Sequence, residues 1–261
     1  MASAREALLL RRYVMLDIWY SLSPLALTPT LSDEERQRRD QFVDAAASKR
    51  YENAHALKRL VLAQYGTGCA PLDLNFTRGR YGKPEVAEPF PYRFNMSHSA
   101  ACVAIAVAAE EVGVDIEWHR PVVASSSLAR CVFNREERGW LLRQSCFDDA
   151  FFRLWTLKEA LLKAAGTGFS RPPQEACWHG LDGPQASAWY AGRQWVGLCR
   201  RIGPATLAVA VSVDCPIGHA RLLSIDGASD AAAHAAGASA LCWTETSWMA
   251  SQTHFERSGA L

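Results

Sequence analysis

The chain carries no Cys-x-x-Cys pair, no apolar run long enough to cross a bilayer and no excess of either charge. Each absence excludes a class of function. Its eight cysteines stand at 69, 102, 131, 146, 177, 199, 215 and 242, and the nearest two are 15 residues apart. That spacing excludes the common zinc and redox motifs and leaves free thiols in a reducing cytosol as the expected state. The longest apolar run, Ala100 to Ala109, has ten residues, about half of what a transmembrane helix needs. Near the start, Leu8-Leu9-Leu10 lies among Arg5, Arg11, Arg12 and Asp17, which interrupts a secretory-signal core. A cytoplasmic protein is expected. Lys plus Arg total 28 against 27 for Asp plus Glu, a net charge of +1. Neither a nucleic acid nor an acidic membrane is therefore an expected partner. A Gly-x-Ser-x-Gly elbow is also missing, which argues against serine-hydrolase chemistry.

What is present is an ordinary folded chain: 261 residues, 49% hydrophobic, with 26 aromatic side chains. That length fits one large domain or two small ones. Strand patterns occur at Val14 to Trp19, Ala101 to Ala109, Val112 to Trp118, Trp189 to Tyr190, Gln194 to Arg201 and Thr206 to Val213. Helical patterns run from a capped start at Thr30 to Glu35, from Ser48 to Tyr65, from Ser127 to Val132, from Arg135 to Arg143 and from Asp148 to Ala165. Past Asp226 the chain turns rich in Ala and Ser, and no chemistry is assigned to it.

The pattern restarts. Shifting the chain by one hundred residues lays His55–Gly68 over Trp155–Gly168, with six of fourteen positions identical: Leu57/Leu157, Lys58/Lys158, Leu62/Leu162, Gly66/Gly166, Thr67/Thr167 and Gly68/Gly168. Amphipathic periodicity forces some matches between two helices, but not a shared Gly-Thr-Gly. The expectation is a pseudo-dimer of two similar α/β (α+β) lobes, each a small antiparallel sheet packed with a long helix. Residues 1–118 would form the first lobe, 119–225 the second and 226–261 a tail, with the site in the cleft between the lobes.

Four segments carry polar chemistry. In Gly113-Val114-Asp115-Ile116-Glu117, strand alternation turns Val114 and Ile116 inward and aims Asp115 and Glu117 together the other way. Paired carboxylates repel unless a cation or proton lies between them, and such oxygen donors suit Mg²⁺. A solvated strand face is the plainer account of the same pattern. Trp155, Glu159 and Lys163 are spaced i, i+4, i+8 and lie along one helical stripe. Glu159 can then complete the acidic pair, and Lys163 can meet a phosphate oxygen. Phe94-Asn95-Met96-Ser97-His98-Ser99 sets small polar groups and an imidazole at a strand entrance, suited to cradling phosphate. Tyr81-Gly82-Lys83-Pro84 holds a lysine in a turn, where it is either a phosphate contact or a solvated loop residue.

In this order and spacing, together with Phe133 to Glu137 and the run from Leu154 through Gly168, the segments resemble the 4′-phosphopantetheinyl transferases of the surfactin-synthetase-activating type. The resemblance covers about residues 80–170. It implies transfer of phosphopantetheine from coenzyme A to a serine of an apo acyl or peptidyl carrier protein, releasing 3′,5′-ADP, by a monomer of two similar halves. Carried over, it implies that Asp115, Glu117 and Glu159 hold Mg²⁺, with Mn²⁺ as the alternative. Lys83, Pro84, Ser97 and His98 would contact the donor, Arg50 and Lys58 its 3′-phosphate, and Lys163 the departing phosphate. The base taking the serine proton is either Glu159 or Glu137. Two functions compete: a Mg²⁺-dependent nucleotide pyrophosphohydrolase using the same three carboxylates on water, and a non-catalytic carrier-binding module that keeps the fold, whose signature would be loss of an acidic ligand.

Overall fold

A computed structural model describes residues 16–25, 27, 29–66, 68–79, 81–120, 125–215, 217, 220–225 and 244–248. In chain order the first elements are β1 (Leu16–Ser21), α1 (Asp33–Asp40), α2 (Ala45–Ala63), β2 (Phe76–Arg78), β3 (Pro84–Val86), β4 (Arg93–Ser99) and β5 (Cys102–Ala108). There follow β6 (Val112–Trp118), α3 (Ser125–Val132), α4 (Arg135–Leu141), α5 (Phe147–Ala164), β7 (Gln185–Tyr190), β8 (Arg193–Ile202), β9 (Ala205–Ser212), β10 (Arg221–Ser224) and β11 (Thr244–Ser247). Among the described residues, no helix is long and apolar enough to cross a membrane. The seven described cysteines are all free.

Two sheets form. The first has the order β11-β10-β1-β5-β4 and the second β6-β9-β8-β7, while β2 and β3 make a small separate hairpin. All neighbours are antiparallel except β1 and β10. Alternation along the strands sorts side chains into three cores. Leu16 and Ile18, Ala104 and Ala106, Val114 and Ile116, and Leu207 and Val209 meet between the sheets. The opposite face of the first sheet, with Trp19, Ile105 and Val107, packs on Leu57 and Val61 of α2. That of the second, with Ala208 and Ala210, packs on Leu154, Leu157 and Leu161 of α5. The result is a four-layer helix–sheet–sheet–helix stack, the two-halved α/β form expected.

The repeat extends beyond what the offset alignment captured. Ser32 opens α1 in a capping box with Glu35, and Asn134 opens α4 in a capping box with Glu137. Each boxed glutamate then receives a buried lysine from the long helix that follows. Lys58 Nζ lies 2.7 Å from Glu35 Oε1, and Lys158 Nζ lies 2.8 Å from Glu137 Oε2. The shared Gly-Thr-Gly is less alike, since Gly166 takes a positive φ of 68° and Gly66 does not.

Sheet membership does not follow the division at residue 118. Strand β6, inside 1–118, is an edge of the second sheet, and β10, inside 119–225, lies in the first. Strand β11 comes from the 226–261 tail, whose other residues, Trp248 aside, lie outside the described set.

This exchange creates the seam on which the site is built. Edge strands β4 and β6 run side by side, joined by side chains instead of a backbone ladder. Val114 N donates to Asn95 Oδ1 (2.9 Å) and Trp118 N to Ser99 Oγ (3.2 Å). Helix α5 lies directly on β6 because residue 113 is glycine. A Cβ there would stand 2.1 Å from the Ala160 carbonyl oxygen and 2.3 Å from Ala164 N.

Candidate active site

Close seating of α5 on β6 brings the Trp155–Glu159–Lys163 stripe against Asp115 and Glu117. Lys163 Nζ donates to Asp115 Oδ1 at 2.6 Å and to Ser97 Oγ at 2.9 Å. Trp155 Nε1 donates to Glu117 Oε1 at 3.2 Å, and Ser99 Oγ donates to Glu117 Oε2 at 2.7 Å. Ser97 Oγ also donates to Asp115 Oδ1, at 2.7 Å. Asp115 is buried, and its Oδ2 has no hydrogen-bond partner.

One ammonium therefore faces three carboxylates. Burial pushes the Glu117 carboxyl up, and the Asp115 charge adds to it. Burial likewise pushes Glu159 up to about 7, with repulsion from Asp115 and Glu117 exceeding the relief from Lys163. An excess of carboxylate with a buried, unpartnered oxygen fits an oxygen-seeking divalent cation. The three do not close to the mutual 4.8 Å that another cluster reaches, and Mg²⁺ commonly completes its shell with phosphate and water.

Around this centre lie the residues expected to meet the donor. His98 is exposed; desolvation, then the cationic Lys163 and Arg50, lower its imidazole pKa. Arg50 is exposed on α2 and pairs loosely with Asp44 at 3.4 Å. At the C-terminal end of α5 a cavity of about 310 Å³ is lined by Tyr81, Lys83, Glu111, Gly166, Arg193 and Trp195, among others. Pro84 begins β3 beside it and is exposed.

Four of the expected residues are engaged by protein partners. Glu137 is 1% exposed and both its oxygens are taken: Oε2 by Asn134 N (3.0 Å) and Lys158 Nζ (2.8 Å), Oε1 by Trp178 N (3.1 Å). These contacts lock α4 to α5 and to the segment before β7. Lys58 is buried in its pair with Glu35 and sits 3.8 Å from the Phe76 ring centroid. Ser97 is spent on Asp115 and Lys163. Lys83 Nζ gives its three donors to Glu111 Oε2 (3.0 Å), Val112 O (3.1 Å) and Ala164 O (3.1 Å), pinning β6 to the end of α5. The seam role of Asn95 and Ser99 was missed, although the Asn95-x-Ser97-x-Ser99 alternation signals a strand.

Comparison with known proteins gives a consistent picture. The model of the 4′-phosphopantetheinyl transferase superfamily matches residues 111–215. The 4′-phosphopantetheinyl transferase HetI of Nostoc sp. is 33% identical over 153 residues, 56% of this chain and 63% of that protein. Bacillus subtilis strain 168 has the 4′-phosphopantetheinyl transferase Sfp, 31% identical over 54% of this chain and 63% of its own. The Bacillus subtilis 4′-phosphopantetheinyl transferase ffp is 32% identical over 54% of this chain and 68% of its own. The chain thus spans somewhat under two thirds of the first two relatives. Among solved structures, Thermotoga maritima holo-[acyl-carrier-protein] synthase aligns with 39% of this chain at a TM-score of 0.30 and 16% identity, too slight a likeness to carry weight.

Proposed function

The chain belongs to the 4′-phosphopantetheinyl transferase superfamily, and from that premise we propose that it moves the 4′-phosphopantetheine group of coenzyme A onto a serine hydroxyl of an apo carrier-protein domain. The observation that supports this most is the acidic triad on the seam, with Lys163 against Asp115 and Asp115 Oδ2 left without a partner. In this reading Asp115, Glu117 and Glu159 hold Mg²⁺, or Mn²⁺ in its place. A cation held there would supply charge neutralisation for the pyrophosphate.

The rest falls to the protein. Serine Oγ bonds to the phosphorus carrying pantetheine, the bond from that phosphorus to the bridging oxygen breaks, and 3′,5′-ADP leaves. Glu159 takes the serine proton; with both oxygens of Glu137 engaged it is the remaining one of the two candidate bases, and its place on the seam has to offset the basicity it would give up to a bound cation. Lys163 spends two donors on Asp115 and Ser97, and its third faces the charge gained by the departing phosphate. His98 and Arg50 take phosphates on the first half's side, and the cavity beside Tyr81, Lys83 and Pro84 takes the nucleoside end. The proposed setting is a cytoplasmic monomer with no nucleic-acid or membrane partner.

The direct test is to incubate the protein with an apo-carrier, coenzyme A and Mg²⁺ and follow the carrier's intact mass. Gain of one phosphopantetheine supports the reading. Free phosphopantetheine released with an unmodified carrier would make the protein a pyrophosphohydrolase instead.

A pH effect follows from Glu159. Its folded pKa of about 7 lies above the ordinary 4.5, so the folded state holds an extra proton between those values. Stability contributed by Glu159 is full below about pH 4.5 and is lost as pH rises through about 7. Mg²⁺ competes with that proton and should flatten the loss. Thermal melts across this range, with and without Mg²⁺, should show a steeper fall in the wild type than in Glu159→Gln, where the raised Glu117 still contributes. An identical slope in both proteins would refute the assignment.

A further inference from the structure

Beside the Glu137–Lys158 lock, a second cluster has nothing to do with phosphate chemistry. A carboxylate oxygen of Glu136, the Cys177 sulfur and a ring nitrogen of His179 all lie within 4.8 Å of one another. Cys177 is half-buried, while Glu136 and His179 are exposed.

The backbone beneath these three donors is already fixed. His179 pairs with Ser187 as an antiparallel bridge, with His179 N to Ser187 O at 2.8 Å and Ser187 N to His179 O at 2.9 Å. Between the two ligands Trp178 turns into the core at 2% exposure, and its N–H is held by Glu137 Oε1. In extended chain, residues flanking an inward one share the outward side, which puts Cys177 and His179 together. Glu136 comes to them from the first turn of α4, next to the Asn134–Glu137 capping box.

We propose that Glu136, Cys177 and His179 bind one borderline-soft divalent transition-metal ion, of the Zn²⁺ class, with water at the fourth position. A thiolate, a neutral imidazole and a carboxylate form a donor set that zinc takes readily and Mg²⁺ does not. Thiolate plus carboxylate bring two negative charges, which the ion balances. On ligation the Cys177 thiol gives its proton to solvent. Tetrahedral zinc bonds require donors about 3.5 Å apart, a closure that rotation of the two exposed side chains supplies. The ion would clamp the segment leading into β7 onto α4. Its role is therefore to stabilise this part of the fold, independently of the seam carboxylates.

Cobalt is the probe, because it reports its own ligands. Adding Co²⁺ to the full-length, metal-stripped protein should produce a near-ultraviolet thiolate-to-cobalt charge-transfer band and visible bands of tetrahedral intensity, saturating at one equivalent. Zn²⁺ should bleach the bands and raise the melting temperature of the Asp115→Asn protein, and excess Mg²⁺ should leave the bands in place. Cys177→Ser should remove the charge-transfer band. Glu136→Gln and His179→Ala, at exposed positions that leave folding intact, should each weaken cobalt binding tenfold or more. Cys131→Ser and Asp115→Asn should leave the bands unchanged. Absence of a charge-transfer band in the wild type, its survival in Cys177→Ser, or its loss in Cys131→Ser would overturn the proposal. Full affinity in both Glu136→Gln and His179→Ala would do the same.

Discussion

Asp115→Ala should lower carrier modification about a thousandfold or more, with no loss of thermal stability. The two halves of that expectation have one cause. Asp115 lies at the centre of the seam, buried, accepting from Ser97 and Lys163 through Oδ1 and leaving Oδ2 unpartnered. A buried carboxylate oxygen without a donor is a cost to folding, and its charge also raises Glu117 and Glu159. Alanine removes that cost and the repulsion. Lys163, whose side chain is 29% exposed, can turn to Glu159 or to water. The metal-free variant should therefore melt at or above the wild-type temperature, and the Glu159 carboxyl should titrate lower. Under the proposed function catalysis has no such substitute, because the oxygen that is surplus in folding is the one a cation would take. Turnover within tenfold of wild type at saturating Mg²⁺, or a marked fall in melting temperature, would show that Asp115 is a structural ion-pair partner only. Asp115→Asn, which keeps the shape, should share the catalytic defect.

What was legible in the sequence was periodic. Period two on β6 put Asp115 beside Glu117, and period four on α5 put Glu159 and Lys163 on the stripe of Trp155. Residues 155 and 163 do contact 117 and 115. What was not legible concerns groups whose partners are distant in the chain. Lys58 and Lys158 match in the repeat, and Lys158 stands four residues after Leu154 and three before Leu161, on the core stripe. That position marks a buried lysine in need of an anion, but nothing local points to Glu35 or Glu137 on the preceding short helix. The β10–β1 pairing joins Asp17 to Arg221 across 204 residues, and no local pattern encodes it. The contacts of Ser97 with Asp115 and Lys163 arise because β4 is an edge strand facing β6, a neighbourhood that the local pattern does not encode.

The Glu137–Lys158 pair yields the largest expected stability effect and separates the lock from the chemistry. Lys158→Met strands a carboxylate that is 1% exposed, and it frees the carbonyl oxygens of Pro173 and Ala176, which Lys158 now caps at 3.0 and 2.7 Å. Breaking a buried pair on one side costs about 3–5 kcal/mol, a large part of the about 5–15 kcal/mol that keeps a domain folded. The matching change in the first half should be milder. Without Lys58, Glu35 keeps Arg59 Nε at 2.6 Å and His55 Nδ1 at 3.1 Å. Burial alone would raise Glu35, yet these neighbours together with Lys58 hold it well below the usual carboxylate range. Denaturant melts should therefore rank Lys158→Met as clearly less stable than Lys58→Met. Adding Glu137→Gln to Lys158→Met removes the stranded charge and should restore about 1–3 kcal/mol, a coupling that a double-mutant cycle reads directly. Glu137→Gln alone, assayed at a temperature where it stays folded, should keep kcat within a few-fold of wild type. A Glu137→Gln protein that melts normally yet has lost turnover would return Glu137 to the chemistry and leave Glu159 as a ligand alone.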